Sequence, residues 1–192
     1  PIWPHGGPVA VRYGRLLREC PDSVYAPRSA YERALALFNA GRHAEAVDQA
    51  RAIPPGGPME DQVCWLLAES AIALGDENGA IQNYRLIADR HPGSPLAPEA
   101  WYRIGDLLNK RGEAWNAATA YRELFLRYPA SGLAPKGLFA AAYGAAKTGR
   151  REDAARDWGR FLETFPQHEL AADALFQKAV AEAQLGRNEQ AL

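Results

Sequence analysis

Glycine recurs in this chain at Gly41, Gly75, Gly112, Gly149 and Gly186, at intervals of 34, 37, 37 and 37 residues. Five residues after each stands an alanine: Ala46, Ala80, Ala117, Ala154 and Ala191. Seven before each is another small residue: Ala34, Ala68, Gly105, Ala142 and Ala179. Prolines Pro58, Pro92, Pro129 and Pro166 close the units. A fixed period of this length means that one supersecondary unit is stacked repeatedly, each copy burying its apolar face against its neighbours.

Each column has a physical role. Within one unit, Trp101, Ile104 and Leu108 precede Gly112, and Ala117, Tyr121 and Leu124 follow it, in steps of three or four residues. Such spacing predicts two amphipathic helices joined by a tight turn. The glycine falls where a helix C-terminus needs a left-handed residue, and Asp76, Glu77 and Glu113 fall at the positive start of the following helix. Small residues on both helices let the backbones approach, and Tyr84, Tyr121 and Trp158 fill the space between successive pairs. The 37 alanines of the chain thereby acquire addresses.

The segment Trp101-x2-Ile104-Gly105-x2-Leu108, followed by Ala117-x3-Tyr121 and Pro129, resembles the tetratricopeptide repeat in both pattern and period. The resemblance covers most of the chain and implies an all-α, right-handed α-solenoid of antiparallel helix pairs, a tetratricopeptide superhelix. Units are expected at 27–60, 61–97, 98–134, 135–171 and 172–192, the last truncated. Residues 1–26 form an N-terminal segment in which VAVRYGRLLRECP reads as the second helix of a preceding repeat, with Tyr13 in the column of Tyr84 and Pro21 in the closing column. Because both ends cut through repeats, the expectation is a fragment of a longer protein; a natural chain ending in a frayed half-repeat is the alternative. Exposed half-repeats allow end-to-end self-association.

Four connectors share a sub-pattern, starting at Pro21, Pro92, Pro129 and Pro166, with an apolar residue four positions on (Tyr25, Leu96, Leu133, Leu170) and alanine after it. The expectation is an extra turn that lengthens the first helix, capped by Ser23, Ser94 or Ser131, with Tyr25 and its equivalents plugging the gap between units. This connector and the 37-residue spacing resemble bacterial cell-envelope tetratricopeptide proteins of two types, the periplasmic coordinator of the Tol-Pal system and the lipoprotein of the outer-membrane barrel assembly machinery. The resemblance implies a periplasmic or outer-membrane-associated adaptor that docks other envelope proteins. The chain has neither a lipobox cysteine near its start nor a trimerising coiled coil.

In the resembled architecture, first helices line the concave surface. The column ten residues before each glycine is aromatic throughout: Tyr31, Trp65, Tyr102, Phe139 and Phe176. One turn on stand Leu35, Glu69, Asp106, Tyr143 and Val180. Two readings follow: a partner-binding ladder of aromatic anchors edged by acids, holding an extended or helical peptide, or rings that belong to the core. Chaperone-binding tetratricopeptide proteins hold a C-terminal carboxylate through Lys and Asn in these columns, and that mode is disfavoured here. Lys136 and Arg103 read as solvated face residues.

Charge and chemistry narrow the function. Twenty-two Lys and Arg against 23 Asp and Glu leave a formal charge of -1, which gives no field for nucleic acid. No apolar run reaches the roughly 20 residues of a membrane span. Cys20 and Cys64 suit packing, and His5, His43, His91 and His168 fall at turns with the default reading of surface residues. No spacing predicts a catalytic set, a metal site or a cofactor, and the GGP triplets at Gly6 and Gly56 are turn chemistry. The expected function is a non-catalytic protein–protein interaction scaffold that binds a partner peptide or protein. The alternative is a repeat region that positions the substrate of a larger, for instance cell-wall-active, enzyme.

Overall fold

The computed structural model describes residues 25–186 continuously, together with 11, 14, 15, 19 and 23. Tyr13, Cys20, Pro21 and Ala191 lie outside the described residues, as do His5 and Gly6. Nine α-helices and no strand occur among the described residues. The chain divides into two compact units, Pro1–Ala97 and Pro98–Leu192. The first holds α1 (Ala26–Asn39), α2 (His43–Arg51), α3 (Glu60–Ala73) and α4 (Glu77–Arg90). The second is built from α5 (Ala97–Lys110), α6 (Ala114–Arg127), α7 (Ala134–Lys147), α8 (Arg151–Thr164) and α9 (Ala171–Gln184).

The register glycines end the first helix of each pair. All five have φ between 74° and 80°, the left-handed region that an L side chain rarely adopts. At Gly75 the amide of Asp76 donates to the carbonyl of Ala71 (2.8 Å) and that of Gly75 to Ile72 (3.0 Å), the paired bonds of a Schellman motif. Gly112 and Gly149 repeat the arrangement through Glu113 to Leu108 (2.9 Å) and Arg150 to Ala145 (3.0 Å). The turned chain then starts the second helix at once, and Asp76 caps α4 by accepting from the amide of Gly79 (2.8 Å). Gly112→Ala is expected to cost about 1 kcal/mol, because open space surrounds the missing Cβ and only the backbone conformation resists it. Urea unfolding of the variant beside the parent checks the value.

Close approach in the pairs falls at the predicted columns. Ala46, Ala80 and Ala154 are wholly buried and Ala117 nearly so, as are Ala34, Ala68 and Ala142 on the first helices. A Cβ on Gly105 would meet the Tyr121 ring at 2.4 Å, so the tyrosine of α6 lies directly on the backbone of α5. Tyr84, Tyr121 and Trp158 are buried, and the first two rings pack on the first helix of their own repeat, where filling between successive pairs was expected. In the second unit Leu138, Ala142, Ala154, Trp158, Phe161 and Ala174 form one core across α7, α8 and α9.

The connectors depart from expectation. The first helices all have 14 residues, including α3, which has no such connector, so the extra residues do not lengthen them. They enter the second helix instead: α4, α6 and α8 have 14 residues where α2 has nine, and the connectors that follow them are two residues shorter. The serines do not cap the helices either. Ser94 and Ser131 accept from the amides of Leu96 (3.1 Å) and Leu133 (3.2 Å), two residues on, which closes a tight turn ahead of the helix. His168 does the same work for Leu170 through Nδ1 (3.2 Å). Tyr25 is 68 % exposed and does not plug a gap, whereas its equivalents Leu96, Leu133 and Leu170 are half-buried and Leu170 packs against the core of the second unit; the next residue, Ala97 or Ala134 at the helix start, is fully buried.

Candidate functional site

The first-helix columns were expected to form either a ligand ladder or core. In the structure three repeats pair the first-helix ring with the ring of their own second helix. Trp65 meets Tyr84 edge-on at 5.1 Å, Tyr102 meets Tyr121 at 5.5 Å, and Phe139 meets Trp158 at 4.6 Å. Such tilted pairs contribute about 0.5–1.5 kcal/mol beyond area burial. Tyr31 has Ala50 where the others have a ring, and it packs beside Ala34, Val63 and Leu66. These four rings are half-buried. Phe176 is 65 % exposed, and the position nine after Gly186, where its partner ring would stand, lies past Leu192.

The acids of the next column are bound to the same rings. Tyr84 donates its hydroxyl to Glu69 Oε1, and Tyr121 donates to Asp106 Oδ1 at 2.6 Å. Burial pushes the Tyr121 hydroxyl far up, and the hydrogen bond to Asp106 pushes it further. Protonated Tyr121 is therefore the folded form at every physiological pH. Because its folded pKa lies above the unfolded value of about 10, its contribution to stability is complete below pH 10 and is lost above it. Titration of tyrosinate absorbance should show Tyr121 silent until the fold is lost, and Tyr121→Phe should remove that delayed component.

Tyr143 differs from every other member of the two columns. It occupies the acid's position in the repeat whose second helix carries Trp158 in place of tyrosine, so no hydroxyl comes across to meet it. The side chain is 57 % exposed although its repeat is complete. Leu35 and Val180 of the same column are half-buried. Arg103 is paired with Glu99 (3.0 Å), and Lys136 is exposed.

A family profile described as tetratricopeptide repeat matches residues 12–58, 65–131 and 139–192. The chain belongs to the tetratricopeptide repeat family. Solved tetratricopeptide structures share the fold at low identity. One is a tetratricopeptide repeat protein from Parabacteroides merdae (16 % identity, 95 % of this chain and 68 % of that one, TM-score 0.60). A structure of MamA AMB-1 is similar as well (15 %, 88 % of each chain, 0.59). YrrB, a tetratricopeptide protein with an unusual peptide-binding site, is similar over 86 % of this chain and 80 % of its own (17 %, 0.58). Among curated protein sequences, none matches. The family is one of protein–protein interaction modules.

Sequence reasoning overlooked the polar tie between second helices. Asp157 of α8 is wholly buried, and Arg122 of α6 donates to its Oδ2 through Nε (2.9 Å) and Nη2 (2.6 Å). The same guanidinium lies over the Trp115 ring at 5.3 Å, and Arg150 lies over it at 3.7 Å. The period gives no signal for this pair, because the other repeats carry Ala120, Asn83 and Gln49 at the position of Asp157. Sequence reasoning also passed over the tyrosine–acid bonds, although a signal was there: Glu69 with Tyr84 and Asp106 with Tyr121 recur at a separation of 15, and both members are absent together in the next repeat.

The remaining chemistry-bearing residues are tied into packing. His91 and Arg90 both bind Glu60, at 2.9 and 3.2 Å, and His43 and His168 set their rings edge-on against Phe38 and Phe161. These three histidines are half-buried rather than surface residues, His43 at the start of α2 and the other two in connectors. Cys64 is buried, and that burial raises its thiol to about 11, so at neutral pH it is an unreactive packing residue. No group of three or more His, Cys, Asp or Glu able to hold a metal ion, and no helix long and apolar enough to cross a membrane, occurs among the described residues.

Proposed function

We propose that the chain is a non-catalytic interaction segment that binds a partner peptide or protein through its first helices, with Tyr143 of the second unit as an anchor. The observation that carries this reading is the exposure of Tyr143, a large amphipathic ring left in water by a complete and well-packed repeat. Tyrosine is enriched where partners dock, because its ring supplies apolar contact and its hydroxyl a hydrogen bond. Within the second unit, Tyr102, Asp106, Phe139 and Phe176 stand in the same two first-helix columns and would border the contact; Tyr31, Trp65 and Glu69 occupy the corresponding columns of the first unit. Near-neutral charge supports a protein rather than a nucleic acid as partner.

The connector pattern at Pro92, Pro129 and Pro166 supports a place in the bacterial cell envelope, where this segment would act as a periplasmic or outer-membrane-associated adaptor. The test is affinity capture with the full-length protein from its own host, followed by mass spectrometry, run in parallel on Tyr143→Ser. Partners present with the parent and depleted from the variant support the reading, and envelope proteins among them support the location. An identical set from both proteins overturns the role of Tyr143.

A further inference from the structure

The first repeat breaks a packing rule that the others obey. Twelve residues after the register glycine, α4, α6 and α8 each bury a large apolar side chain completely, namely Ile87, Leu124 and Phe161. That position lies in the final turn of a 14-residue helix. Because α2 ends at Arg51, its counterpart Ile53 falls in the connector and is only half-buried. The missing turn is not replaced. A cavity of about 530 Å³ stands in its place within the first unit, walled by Ile53, Pro55, Val63, Leu67 and Leu86.

Two features hold the cavity open. Pro54, Pro55 and Pro58 fix φ along the connector, and Gly56 turns it at φ 80°, so the segment cannot slump inward as a flexible loop would. The volume falls within the range of small-molecule sites, about 300–1,000 Å³. Three charged side chains also line it: Arg51, Glu60 and Arg90. Glu60 is held by Arg90 at 3.2 Å and His91 at 2.9 Å. Arg51 is exposed and forms no ion pair among the described residues. A half-open, largely apolar cavity with one uncommitted guanidinium in its lining matches a molecule with an apolar body and a single carboxylate.

We propose that this cavity is a binding site for a small apolar monocarboxylate, whose body replaces the missing helical turn and whose charge pairs with Arg51. It is independent of partner binding at Tyr143, which belongs to the other unit.

The test is isothermal titration of the protein with octanoate and, separately, with 1-octanol. Octanoate should bind at one site per chain, at least about tenfold more tightly than the alcohol. Arg51→Gln should weaken octanoate about tenfold and leave octanol unchanged, since Arg51 is a surface position that the fold does not need. Met59→Trp, which fills the cavity from the connector, should abolish binding of both. If circular dichroism shows Met59→Trp to be unfolded, Leu67→Phe serves in its place. Equal affinity for octanoate and octanol, octanoate binding that survives filling of the cavity, or no binding at millimolar octanoate would each overturn the proposal.

Discussion

Replacing Arg122 with methionine is expected to destabilise the protein by about 3–5 kcal/mol, because it leaves the Asp157 carboxylate buried without its counter-charge. Arg122 supplies both hydrogen bonds to Oδ2, and Oδ1 accepts none among the described residues. The acid is therefore only half satisfied even in the parent. Removing both charges should consequently be far less harmful than removing one. Arg122→Met with Asp157→Leu is expected to recover most of the loss, and denaturant titrations of the two single variants and the double variant measure the coupling directly. Equal losses in the single and double variants would mean that the pair contributes through packing of the arginine stem on Trp115 rather than through charge.

Phe161→Ala is expected to have a comparable effect, about 3–5 kcal/mol, through a different route. The ring is wholly buried and lies edge-on to Phe139, Phe165 and His168 at 5.8, 5.5 and 5.7 Å. It also occupies the last-turn position whose absence from α2 coincides with an open cavity. Truncation would create in the second unit the vacancy that the first unit already has, without the prolines that frame it there. A loss below about 1 kcal/mol in chemical denaturation would show that the surrounding side chains collapse into the space.

The fold was legible wherever a position does the same work in every repeat. Gly75, Gly112 and Gly149 need a left-handed backbone, and Ala80, Ala117 and Ala154 need to be small, so the period prints those demands into the sequence. Features that occur once were not legible in this way. Asp157 and Arg122 meet through geometry between two second helices, and the column gives no second example to compare. The connectors misled for a related reason. Three additional residues are visible as spacing, but only helix-end hydrogen bonds decide which element receives them, and here the second helix took them.

At the site, the aromatic column was legible and its division was not. Trp65, Tyr102 and Phe139 look alike in sequence to the exposed Phe176, and they part company only because Tyr84, Tyr121 and Trp158 stand opposite them. Glu69 and Asp106 read as free acids on an outer face, whereas each accepts a tyrosine hydroxyl from the neighbouring helix. Tyr143 emerges as distinct because the residue opposite is Trp158, whose indole can offer that position no hydroxyl.

The most direct measurement compares Tyr102→Ala with Tyr143→Ala for both melting temperature and retention of captured partners. Tyr102→Ala should lower the melting temperature by several degrees, since it removes the ring packed on Tyr121, whereas Tyr143→Ala should change stability by less than about 0.5 kcal/mol and release the partner. Partner retention by Tyr143→Ala at an unchanged melting temperature would contradict the account.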